Sequence, residues 1–160
     1  MSLAPIILFV YKRLEHTKRT IELLSKNFLA NESELYIFSE AEKSENDREA
    51  VDLVRDYLES VKGFKGIIIN KNETHLGLAN SVISGTTEIL RKHKKAIILE
   101  DDLLTAPDFL KFMNNALIYY ENNFKIFSIS GYTFPINIPS DYKNNFYIFK
   151  SLYIYLFLHL

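Results

Sequence analysis

At 160 residues the chain is long enough for one domain with a sizeable core, and 48% hydrophobic with 24% charged residues is ordinary for a globular protein. A net charge of −1 supplies no basic field for nucleic acid, and the lack of any Cys excludes disulfides, thiolate metal sites and a cysteine nucleophile. The cysteine-free composition fits a reducing compartment, so a cytoplasmic location is expected.

The first apolar run, residues 5–11, is rich in β-branched and aromatic side chains and reads as a buried strand. It has no basic residues before it and no small-residue cleavage site after it, so it is not a signal peptide. It is also far short of the roughly 20 residues that a transmembrane helix needs. An amphipathic helix follows over about 14–28, with Ile21, Leu24 and Phe28 on one face. Residues 35–38 form a second strand. A second helix spans 44–61, with polar capping residues at Ser44 to Asp47, an inward face of Val51, Val54, Tyr57 and Leu58, and Gly63 as a stop.

A third strand is expected over 65–69 and a third helix over 77–90, with Leu78, Val82 and Ile89 as its apolar stripe. The fourth strand, 95–99, runs directly into Glu100, Asp101 and Asp102. Thr105-Ala106-Pro107 signals a helix start, because Pro suits a first helical turn, and that helix runs to about Glu121. A fifth strand is expected over 126–130. This alternation predicts an α/β fold: a mostly parallel central sheet with helices on both faces, Rossmann-like. The expected division is a ligand-binding domain over 4–135 and an apolar C-terminal remnant over 136–160. That remnant is nearly all aromatic or aliphatic from Phe146 onward, and it offers a surface for homo-oligomer formation.

Ligands of such sheets bind beyond the carboxyl ends of the strands. There the three consecutive acids stand out. Adjacent carboxylates repel and resist desolvation, and a divalent cation is the usual compensation. Hard oxygen ligands favour Mg²⁺ or Mn²⁺, held by one or two carboxylates with substrate phosphates. The alternative is a solvated acidic turn placed at the positive end of the next helix. Phosphoacceptor receiver domains and haloacid-type phosphatases also carry acids after strands, but theirs follow the first strand, where this chain has Tyr11-Lys12-Arg13. The run Arg91 to Lys95 reads as a solvated helix end, Gly77 as a tight turn into its helix, and His16, His93 and His159 as structural or exposed.

The stretch Ile97 to Leu103 with Ala106-Pro107-Asp108-Phe109 resembles the core of the GT-A glycosyltransferases, in particular the group related to N-acetylglucosaminyltransferase I. In that group the aspartate-x-aspartate motif is written glutamate-aspartate-aspartate. The first strand, Pro5 to Arg13, and the block His75 to Asn80 resemble their counterparts there. The resemblance implies a UDP-sugar donor, UDP-GlcNAc among the candidates, and Mn²⁺ or Mg²⁺ as cofactor. It implies that Asp102 coordinates the metal, that Glu100 and Asp101 hold the ribose and the metal's water shell, and that Val10, Tyr11 and Arg13 line the base or the phosphates. Glu40 stands where the family has a uracil-contacting Asp, and His75 is placed near the uracil or the sugar. The family's general base lies well beyond the acid motif, in an acceptor-binding half rich in Trp and Gly. This chain has no Trp, and 58 residues follow Asp102, with Asp141 the only acid after Glu121. A truncated enzyme is therefore expected, one that binds nucleotide without efficient transfer to its unknown acceptor.

Overall fold

The computed structural model describes residues 2–132. The expected tail over 136–160 and Asp141 lie outside the described residues. Among the described residues four strands form one all-parallel sheet: β1 (Ile6–Val10), β2 (Glu34–Ser39), β3 (Gly66–Lys71) and β4 (Ile97–Glu100), in the order β3-β2-β1-β4. Helices α1 (Leu14–Ser25), α2 (Arg48–Leu58), α3 (Leu78–His93) and α4 (Phe109–Tyr119) alternate with them. This is the expected α/β, Rossmann-like arrangement.

Both faces of the sheet are covered, and the alternation along β1 shows how. Ile6, Leu8 and Val10 face Ile21 and Leu24 of α1, Val54 and Leu58 of α2, and Leu110, Met113 and Leu117 of α4. Ile7 and Phe9 face the other way, with Phe38 and Ile98, onto Ile89 and Leu90 of α3. A strand buried on both faces cannot show polar alternation, so β1 reads as a continuous apolar run. The edge strand β3 is less buried, and its Ile68 is exposed.

Several local expectations are corrected. Helix α1 stops at Ser25, and the chain then turns through Leu29, whose φ is 75°. Phe28 therefore leaves the helical face and is 60% exposed, while Ile21 and Leu24 stay buried. Helix α2 is preceded by a short 3₁₀ turn, Glu45–Asp47, and α4 begins only at Phe109, after a turn at Pro107 and Asp108. Helix α3 buries Ser81, Gly85, Thr86, Ile89 and Leu90, whereas Leu78 is 61% exposed. Small residues face the sheet there because Phe9 and Phe38 rise from it: a Cβ on Gly85 would lie 2.9 Å from Phe9 Cε1 and 3.1 Å from the Phe38 ring. Residues 126–130 do not form a fifth strand; Ser128 makes only an isolated bridge, and Phe127 is exposed.

Helix α4 is fastened from outside. Asp108 makes no side-chain cap, and Asn27 supplies the missing acceptor: its Oδ1 receives the Leu110 amide at 3.0 Å, while its Nδ2 donates to Thr105 Oγ1 at 3.0 Å and to the Leu23 carbonyl at 3.1 Å.

Candidate functional site at the strand switch point

Strands β2 and β3 lie to one side of β1, and β4 lies to the other. The connections therefore reverse direction between β1 and β4, and a crevice opens beyond their carboxyl ends. Residues Val10 to Arg13 leave β1 at this point, and Glu100 to Asp102 leave β4. Phe9 is in register with Glu100, so the two loops emerge side by side.

The two loops meet through charge. The Arg13 guanidinium donates from Nε to Asp101 Oδ2 at 3.4 Å and from Nη2 to Asp102 Oδ2 at 3.0 Å; Nη2 also forms a close ion pair with Asp101 Oδ1. The Asp101 side chain is only 5% exposed, and Thr20 Oγ1 donates to its backbone carbonyl at 2.9 Å. Asp102 is more open. The Glu100 carboxylate makes no hydrogen bond or ion pair among the described residues. Burial, then Asp102 and Asp101, push its carboxyl above the ordinary range, and Arg13 offsets only part of this.

A second knot sits beside the first. Glu40 follows β2 and is 6% exposed. Its carboxylate accepts from Ser81 Oγ at 2.6 Å, from Asn72 Nδ2 and the Leu76 amide at 3.1 Å each, and from the Ala41 amide at 3.0 Å. Burial pushes this carboxyl up, but the bonds from Ser81, Asn72, Leu76 and Ala41 outweigh it and hold it below the usual range. Glu40 thus ties the end of β2 to the loop before α3 and to the first turn of α3. Its own amide donates to the Val10 carbonyl at 3.0 Å, which binds that loop to β1. Arg55 of α2 completes the knot, donating to the carbonyl oxygens of Asn72 at 2.8 Å and Glu40 at 3.3 Å.

Tyr11 and His75 face each other between the two knots, ring centroids 5.4 Å apart. His75 Nδ1 lies 3.0 Å from the Ala41 carbonyl, and the Tyr11 hydroxyl donates to Asp47 Oδ2 at 2.9 Å while accepting the Lys43 amide at 3.0 Å. Lys12 and then Tyr11 hold the Asp47 carboxyl below its usual range. Gly77 has φ of 78° at the entry to α3, so the turn that delivers His75 requires a glycine.

All eight residues singled out in the sequence, Val10, Tyr11, Arg13, Glu40, His75, Glu100, Asp101 and Asp102, lie at or just beyond the carboxyl ends of strands or in the loop that leads into α3. Ser81, Asn72, Arg55, Thr20 and Asp47 were not among them. Each is a common residue type inside an ordinary helix or loop, and none carries a motif.

The carboxylates form a hard-oxygen donor set that fits Mg²⁺ or Mn²⁺. Among the described residues no group of three or more His, Cys, Asp or Glu converges to cage an ion. An ion held by one or two carboxylates, substrate phosphates and water needs no such cage. One guanidinium, that of Arg13, bridges Asp101 and Asp102. On the far side of Glu100 and Asp102, a cavity of about 1410 Å³ opens between α3 and the segment 103–132, walled mainly by apolar groups such as Val82, Ile83, Leu104, Phe109 and Phe112.

No protein-family model matches this chain, and no curated protein does. Solved structures do. TarS of S. aureus aligns at 13% identity with a TM-score of 0.51, over 73% of this chain and 20% of its own. The two share a fold. The mannosyltransferase PcManGT of Pyrobaculum calidifontis, solved with GDP-Man and Mn²⁺, aligns at 13% identity with a TM-score of 0.47, over 76% of this chain and 34% of its own. The chain thus spans about one fifth and one third of the lengths of these two proteins. Among the described residues no helix is long and apolar enough to cross a membrane.

Proposed function

We propose that this chain carries the donor-binding part of a metal-dependent glycosyltransferase, related to the N-acetylglucosaminyltransferase I group and taking a UDP-sugar. The observation that carries the reading is the meeting of Arg13 with Asp101 and Asp102 at the strand switch point, the position where parallel α/β sheets bind nucleotides. The glutamate-aspartate-aspartate motif and the fold shared with TarS support it.

In this reading Asp102, the more open aspartate, ligates Mn²⁺ or Mg²⁺, and Glu100 and Asp101 hold the ribose and the ion's water. When bound, the ion neutralises the diphosphate that leaves the sugar. Tyr11 and His75 offer the base a stacking surface, and their ring orientations are fixed by Asp47 and the Ala41 carbonyl. Glu40 acts by positioning the loop that carries His75, since its carboxylate already accepts four bonds. In this reading the sugar and the acceptor lie on the flank of the apolar cavity beside Glu100 and Asp102.

Calorimetry with UDP, with and without Mn²⁺, tests this. Metal-dependent UDP binding is expected, with a loss of at least tenfold in Asp102→Ala. Absence of UDP binding in both conditions sinks the proposal. Product formation from a UDP-sugar then separates a competent transferase from a module that only binds nucleotide.

A further inference from the structure

The ion pair at the switch point has an unusual stoichiometry. One guanidinium nitrogen, Nη2 of Arg13, touches both Asp101 and Asp102, and it takes Asp102 Oδ2 at 3.0 Å. That oxygen belongs to the carboxylate assigned above to the metal. A guanidinium and a divalent ion on that one oxygen would lie close together and repel in a half-buried site. Among the described residues no other cation pairs with Asp101 and the Glu100 carboxylate has no hydrogen-bond or ion-pair partner, so there Arg13 is the cation set against three carboxylates. The side chains differ in exposure. Asp101 is buried and its backbone is pinned by Thr20, whereas Arg13 lies on the loop before α1 with nearly half its side chain in solvent. Of the two sides of the pair, Arg13 is the more exposed and the less enclosed by neighbours.

We propose that Arg13 is an internal counter-cation: its guanidinium occupies the acid cluster in the donor-free protein and swings off Asp102 when a divalent ion arrives with a nucleoside diphosphate, whose phosphates become its new partner. This rests on the metal-site reading above. It makes metal and nucleotide binding cooperative for a stated reason. Metal alone must displace Arg13 and leave it unpaired, so it binds weakly. With the diphosphate present, the displaced guanidinium gains a bidentate anionic partner, and the cost of displacement is recovered. The guanidinium also links the β1 loop to the β4 loop and screens the three neighbouring carboxylates of the β4 loop from one another.

The test is Mn²⁺ binding, followed by the electron paramagnetic resonance signal of free Mn²⁺, in the full chain, in Arg13→Gln and in Asp102→Asn, each with and without UDP. The expected result has opposite signs in Arg13→Gln. Mn²⁺ alone binds about 3- to 10-fold tighter than in the unsubstituted chain, the range of a partly exposed ion pair. The enhancement of Mn²⁺ affinity by UDP shrinks at least about threefold, because the freed cation no longer rewards the diphosphate. If Arg13→Gln leaves Mn²⁺ affinity unchanged or weakens it, Arg13 is a prop for the aspartates and the counter-cation role is overturned. If neither chain binds Mn²⁺ saturably, or binding survives Asp102→Asn, the metal-site reading itself fails, which is a different and recognisable outcome. Arg13→Lys guards against loss of folding. It keeps the charge but not the fork, and it is expected to give Mn²⁺ affinity between those of the unsubstituted chain and Arg13→Gln; affinity no tighter than in the unsubstituted chain counts against the proposal.

Discussion

Ser81 Oγ donates a 2.6 Å hydrogen bond to Glu40 Oε2, joining the first turn of α3 to the end of β2 across 41 residues of sequence. With Asn72, Leu76 and Ala41 this makes Glu40 a fully engaged buried carboxylate. Replacing it strands several donors at once. Glu40→Ala is expected to cost about 2–4 kcal/mol, read as a lower urea midpoint with an unchanged slope. Nucleotide binding should weaken as well, since the loop bearing His75 loses its anchor.

Glu40 also sets part of the acid sensitivity. Its folded pKa lies below the unfolded value of about 4.5, so its stabilisation is complete above that pH and is lost as pH falls through the folded value. Stability of the unsubstituted chain should therefore fall more steeply below pH 4.5 than that of Glu40→Gln. Parallel pH profiles in the two proteins would contradict the assignment.

Glu100 has the opposite sign. Its folded pKa is raised by burial and by Asp102 and Asp101, so the folded protein holds that proton more tightly than the unfolded chain. The cost of its charge is present in full above the folded pKa and vanishes as pH falls through the unfolded one. Glu100→Gln is expected to stabilise the metal-free protein by about 0.5–1 kcal/mol at neutral pH and to leave it unchanged at pH 3. Thermal unfolding at the two pH values checks this. A stability gain on removing a carboxylate is what a site kept for ligand binding predicts.

Gly85→Ala addresses the packing of α3. The added methyl meets Phe9 Cε1 at 2.9 Å and Phe38 at 3.1 Å, two rings stacked with centroids 5.3 Å apart and held in the core beneath the helix. Alanine favours a helix by up to about 1 kcal/mol, but overpacking costs about 1–3 kcal/mol, so net destabilisation is expected. Denaturant melts of the two proteins decide the sign.

Asn27→Ala removes the acceptor for the Leu110 amide and the donor for Thr105 in one step. A loss of about 1–3 kcal/mol is expected, with faster amide exchange concentrated in the first turn of α4. Uniform exchange changes across the protein would argue against a capping role.

The strands were legible because burial on both faces writes itself as unbroken apolar runs such as Ile6–Val10. The run at 126–130, with Ile126, Phe127 and Ile129 between serines, also carries strand-favouring residues, yet it forms no strand, because pairing depends on a neighbour that local composition does not name. In the stripe of α3, Ile89 is buried and Val82 packs against the core, but Leu78 is exposed. Leu78 is apolar, but in the first half of α3 the buried residues are the small ones, Ser81, Gly85 and Thr86, with Gly85 clearing Phe9 and Phe38.

What the sequence determined by itself was the alternation of strands and helices and the placing of Glu100-Asp101-Asp102 at a strand end, since periodicity and order along the chain are local properties. The tertiary structure alone decided the strand order β3-β2-β1-β4, which makes the β1 and β4 loops neighbours. It alone brought Arg13 onto Asp101 across 88 residues and enclosed Glu40 with Ser81 and Asn72. Charge and hydrogen-bond partners act through distance in space, and no spacing in the sequence encodes that distance directly.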